Sequence, residues 1–70
     1  MEVTTVQLAR IERDYSKIAG EPVGVEQVSN AIYVFGSEIA TLRLFRKMPY
    51  GRQDYSKNLG KFFFCVELTS

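Results

Sequence analysis

Gly36-Ser37-Glu38-Ile39-Ala40-Thr41-Leu42-Arg43-Leu44-Phe45-Arg46-Lys47-Met48-Pro49 is the stretch on which the fold turns. As a helix it has Ser37 for its N-cap and Pro49 for its stop. As a strand it makes Gly36-Ser37 the two-residue loop of a type II′ hairpin. That hairpin pairs Phe35 with Glu38, Tyr33 with Ala40 and Ala31 with Leu42. On a helical wheel Ile39, Ala40, Leu42, Leu44, Phe45 and Met48 scatter over nearly the whole circumference. At period two they sort better, with Ala40, Leu42, Leu44 and Met48 on one face and Thr41, Arg43 and Lys47 on the other. The pattern therefore favours a strand over 39–48.

Upstream, a helix over 5–19 is well marked. Thr4 and Gln7 have the spacing of a capping box, and Val3 and Leu8 that of a hydrophobic staple. Leu8, Ile11, Tyr15 and Ile18 recur at steps of three and four, with Ala19 beside them, and form one apolar stripe. Gly20 and Pro22 end the helix. Strands follow at 23–28 and 31–35, joined by a turn at Ser29-Asn30. Downstream, the polar, turn-rich segment 49–60 is expected to be a loop. Residues 61–68 form a closing strand, with Phe62, Phe64, Val66 and Leu68 on one side and Phe63, Cys65 and Glu67 on the other. The expected architecture is α+β: a single domain over 1–70, with one N-terminal helix packed on a three- or four-stranded antiparallel β-sheet.

Asp14-Tyr15-Ser16-Lys17 recurs as Asp54-Tyr55-Ser56-Lys57, and a glycine follows three residues after each copy, Gly20 and Gly60. The echo suggests a helical turn closed by glycine and leading into a strand, used twice. A short helical turn within 52–59 is the corresponding expectation.

Composition narrows the chemistry. The 70 residues contain no His and one Cys, which removes Ser-His and Cys-His catalysis, an internal disulfide and a cysteine zinc cage together. The carboxylates are scattered, and no glycine-rich phosphate loop precedes a helix. No catalytic, cofactor or metal site is expected. No apolar run exceeds five residues, so neither a membrane span nor a signal peptide is expected, and the chain reads as a cytoplasmic protein.

Nine basic and eight acidic residues nearly cancel, but they are unevenly distributed. Residues 1–42 carry three basic and six acidic groups, whereas residues 43–70 carry six basic and two acidic ones. Arg43, Arg46, Lys47, Tyr50, Arg52, Tyr55 and Lys57 are the candidate partner-binding residues, a basic and aromatic set in and around the 49–60 loop. On a strand reading, Ile32, Val34, Ile39 and Phe45 oppose Tyr33, Phe35, Leu42 and Leu44, leaving a second apolar face without a cover. Those first four residues form the candidate dimer face. The functional expectation is a non-enzymatic interaction module that docks on a protein partner or a second copy of itself. By class analogy this includes inhibitors of host machines of the phage or plasmid type. The alternative is nucleic-acid binding through the basic 43–61 segment, where Lys and Arg interleave with aromatic rings.

Overall fold

The computed structural model describes residues 3–68. Its elements run α1 (Thr5–Ala19), β1 (Gly24–Val28), β2 (Ala31–Gly36), α2 (Glu38–Lys47), β3 (Arg52–Ser56) and β4 (Lys61–Glu67). The strands form one antiparallel sheet in the order β1-β2-β4-β3. The α+β class and the helix-on-sheet arrangement agree with the sequence. The decisive stretch does not, because 39–48 is helical rather than a strand.

Local hydrogen bonding explains the helix. Ser37 Oγ accepts from the Ala40 amide at 3.1 Å, which satisfies one of the free donors at the helix start. Ser37 in turn donates to Glu21 Oε1 at 2.9 Å, which fixes the cap against the α1–β1 connection. Gly36-Ser37 is thus a strand-to-helix junction, and the hairpin register predicted for it does not form. Instead β2 pairs with β4, Tyr33 opposite Cys65 and Phe35 opposite Phe63. Ala40, Thr41 and Leu44 are the buried residues of α2 and subtend roughly 100° of the helix at 100° per residue, and the buried Met48 follows as its C-cap. The wheel is indeed apolar nearly all round. The inner stripe is simply narrow and built partly of small residues, while Ile39, Leu42 and Phe45 point outward.

The expected 49–60 loop also contains an edge strand, β3. Its composition hides it, since Arg52, Asp54 and Ser56 alternate with Gln53 and Tyr55 and none is aliphatic. Gln53 donates through Nε2 to Thr41 Oγ1 at 3.2 Å. The Thr41 hydroxyl lies 3.0 Å from both the Ser37 and Glu38 carbonyl oxygens. This link satisfies the only buried polar residue among those described and ties β3 beneath α2.

Helix α1 matches its prediction in detail. Thr4 and Gln7 form the reciprocal capping box, at 3.1 and 2.8 Å, and Gly20 closes the helix at φ 79°. The Arg43 guanidinium donates to the Ala19 carbonyl at 2.9 Å and joins the end of α1 to α2. Together the helices cover one sheet face, where Ile32, Val34, Leu44 and Phe64 are fully or almost fully buried. The sheet turns at Ser29-Asn30 as expected, with Ser29 rather than Asn30 taking positive φ, 55°.

The tetrapeptide echo does not mark equivalent elements, because the first copy lies in α1 and Asp54–Ser56 lies in β3. What repeats is the closure that follows. Gly20 donates to the Ser16 carbonyl at 2.9 Å and Gly60 to the Ser56 carbonyl at 2.7 Å, both glycines having positive φ. Each Ser-Lys-x-x-Gly is one α-turn ended by a left-handed residue.

The α2–β3 connection is held tight by Gly51. A Cβ at this position would fall against the Phe64 ring and lie 2.8 Å from the Cys65 carbonyl oxygen. Phe64 is fully buried and Cys65 is paired in the sheet, so neither can give way cheaply. Gly51→Ala is expected to destabilise the fold by about 1–3 kcal/mol in denaturant melts. Gly24→Ala, where a Cβ meets nothing within 4 Å, is expected to change stability little.

Candidate functional site

The structure disperses the basic and aromatic set. Arg43 is engaged at the end of α1. Arg46 and Lys47 are exposed in the last turn of α2, where positive charge also suits the helix dipole. Tyr50, 75% exposed, stands in the α2–β3 connection. Arg52 opens β3 on the sheet face away from the helices, its guanidinium carbon 5.6 Å from the Phe63 ring centre. Tyr55 belongs to the opposite face of that strand and packs edge-on against Phe62 at 4.9 Å. Lys57 lies in the β3–β4 turn, roughly 17 Å along the chain direction from Arg52 at about 3.4 Å per residue. Arg46, Lys47 and Tyr50 remain neighbours in sequence at one end of the molecule. Arg52 meets Tyr50 at a depression on the open sheet face, whereas Lys57 lies apart in the β3–β4 turn.

The candidate dimer face is split as well. Ile32 and Val34 are 1% and 0% exposed, because their side of β2 is the side that the helices cover. They are core residues and cannot form an interface. Ile39 and Phe45 are exposed, together with Leu42, on the outer side of α2. The sequence reading inverted the parity of β2 because it extended the sheet through 39–48, where the chain supplies a covering helix.

Two surfaces gather several exposed or accessible apolar groups, whereas Val6 on α1, Val28 at the end of β1 and Leu59 in the β3–β4 turn are exposed singly. One is the outer face of α2, where Ile39 is 59%, Leu42 37% and Phe45 36% exposed, with Arg43 and Arg46 lining a shallow depression beside Ile39 and Leu42. The other is the open sheet face, absent from the predicted site residues. There Tyr33 packs with Phe35 at 6.2 Å and Phe63 at 5.5 Å between ring centres. An open depression of about 440 Å³ adjoins this cluster and is lined by Tyr33, Tyr50, Arg52, Cys65 and Glu67, among others. The alternation in β4 was the available signal, since it put Phe63 and Cys65 opposite Phe62 and Phe64. The pairing of β2 with β4 was not available.

Among the described residues no three Cys, Asp or Glu side chains gather closely enough to hold a metal ion. No described helix is long and apolar enough to cross a membrane. Comparisons with protein-family models, curated proteins and solved structures found no match for this chain.

Tyr15 is the described group whose ionisation is clearly displaced. Burial raises its pKa above the ordinary value of 10.0, and the neighbouring Tyr50 and Asp14 add to the shift. Unfolding therefore releases a phenol that ionises more readily than in the folded chain. Tyr15 makes no pH-dependent contribution well below pH ~10, and stability falls as pH rises through the unfolded value. Tyr15→Phe is expected to flatten part of that alkaline decline in melts recorded from about pH 8 to about pH 11.

Proposed function

We propose that this protein is a non-enzymatic docking module that engages a protein partner through the outer face of α2. The observation that carries this reading is the exposed stripe Ile39, Leu42 and Phe45 on a helix whose opposite face is already buried. A helix apolar on both sides belongs in an interior, and among the described residues nothing covers the outer side of α2. Arg46 lies within the stripe one turn beyond Leu42, Arg43 and Lys47 lie to one side of it, and Glu38 stands at the N-terminal end. The complementary surface is an apolar groove with an acidic rim, entered as an amphipathic helix enters a groove. Inhibition of a larger machine of the phage or plasmid type is one use of such a module, by class analogy alone.

Nucleic-acid binding through the whole 43–61 segment has less geometric support. Its cations are divided between α2, the open sheet face and the far hairpin turn, and Asp54 accompanies Arg52 on β3.

Leu42→Asp/Phe45→Asp and Arg46→Glu/Lys47→Glu are the informative variants, because all four side chains are exposed and folding can be verified by circular dichroism. Co-purification of a partner is expected to fall at least tenfold with either pair. It should persist with Arg52→Glu/Lys57→Glu, whose sites lie elsewhere. Binding that survives both α2 pairs, or that is lost on nuclease treatment, contradicts the proposal.

A further inference from the structure

The open sheet face has a charge pattern that fits its own copy. Its outward residues fall into rows fixed by strand register. One row is Glu26, Tyr33, Cys65 and Arg52, and the next is Gly24, Phe35, Phe63 and Asp54. Glu67 lies one outward step beyond the first row on β4, and Lys61 one outward step beyond the second. Between the two rows, on the buried side, runs the line Val25, Val34, Phe64 and Gln53.

From this pattern we infer that the protein forms a weak homodimer by packing this face against its counterpart, about a two-fold axis that lies across the strands above the Val34–Phe64 line. The inference concerns a different surface from α2 and stands independently of the proposed docking function. Such an axis keeps each strand over its own copy and reverses its direction. Arg52 then faces Asp54 of the second copy, and Lys61 faces Glu67 of the second copy. Each pairing occurs twice by symmetry. At the centre Tyr33 meets Phe35, and Phe63 meets Cys65. An axis running along the strands instead opposes Glu26 to Arg52 but leaves Lys61, Asp54 and Glu67 without opposite charges.

Packed sheets cross at about 30°, and the edge strand β3 lies about 7 Å from the sheet midline. That tilt displaces Arg52 from its partner by about 4 Å, within the reach of its side chain. Glu26, Asp54 and Glu67 outnumber Arg52 and Lys61 on this face, an arrangement that repels a phosphate chain despite the aromatic rings. A second copy suits both features at once.

Four strands about 4.8 Å apart and five to seven residues long present about 400 Å² in projection, below the roughly 800 Å² of accessible surface per partner in a standard interface. A contact of that size falls among weak, transient interfaces, and association no tighter than the micromolar range is expected.

Sedimentation velocity over about 1 μM to about 1 mM tests the assignment. Wild type is expected to shift from monomer to dimer across that range, less readily at high salt. Arg52→Asp and Asp54→Arg should each remain monomeric to concentrations at least tenfold higher, since each sets like charges opposite one another. Mixing the two variants should restore association as a heterodimer, and the double variant R52D/D54R should restore the homodimer. Cys65 should react with a thiol reagent more slowly as the dimer fills. A wild type that stays monomeric throughout overturns the inference, as does failure of the mixture to associate. Saturable binding of a fluorescent single-stranded oligonucleotide that competes with self-association would reassign the face to nucleic acid.

Discussion

Everything in this fold depends on α2 lying on the sheet by its small side. Ala40, Thr41, Leu44 and Met48 make the contact, and Ser37 holds the helix start where Glu21 can reach it. Ala40 and Thr41 let the helix approach closely, so that Thr41 is within hydrogen-bonding distance of Gln53 on β3. Gly51 follows because the chain must return to the sheet directly beneath, against Phe64. Rotating α2 to bury Ile39 and Phe45 would draw Thr41 outward and break the bond that secures the edge strand. The outward apolar residues are thus a consequence of how the helix is anchored. They are also what gives the molecule a surface to offer.

The chain is an α-β-β unit followed by a second α-β-β unit, with the last strand of each at the centre of the sheet. Helix α1 packs against β1 and α2 lies over β4 with β2 and β3 on either side, and Arg43 bridges the helices by its bond to Ala19. This arrangement leaves one sheet face without any helix. Its aromatic cluster of Tyr33, Phe35 and Phe63 reduces the exposed area by packing rings together, and Phe63 retains only 8% exposure. The remaining charges on that face alternate in sign along β3 and from one end of β4 to the other.

Legibility in the sequence followed the strength of the local signal. Helix α1 was readable to its last hydrogen bond because cap, stripe and stop agree from Thr4 to Gly20. Strand β4 was readable because residues 61–67 are a β-prone, largely aromatic run in which Phe62, Phe64 and Val66 share one face. Helix α2 was misread because hydrophobic periodicity assumes one buried face, and Ile39, Leu42 and Phe45 violate that assumption. The Ser37 cap and Pro49 stop carried the correct answer. Strand β3 was missed because its inward residues are Gln53 and Tyr55, whose value in that place comes from Thr41 and Phe62. Those partners are reached only through the tertiary fold. The same error inverted β2, placing Ile32 and Val34 on a surface that does not exist and hiding the face that Tyr33 and Phe35 occupy.

Nuclear Overhauser contacts across 33–48 give the most direct test of this account. The helix requires sequential amide contacts and i-to-i+3 contacts from Glu38 to Lys47, with Leu44 methyl groups close to the core rings of the sheet. Cross-strand α-proton contacts should join Tyr33 to Cys65 or its register neighbours on β4. A contact between the α-protons of Tyr33 and Ala40, with extended-chain shifts through 39–48, would restore the hairpin and contradict the structure together with both surfaces derived from it.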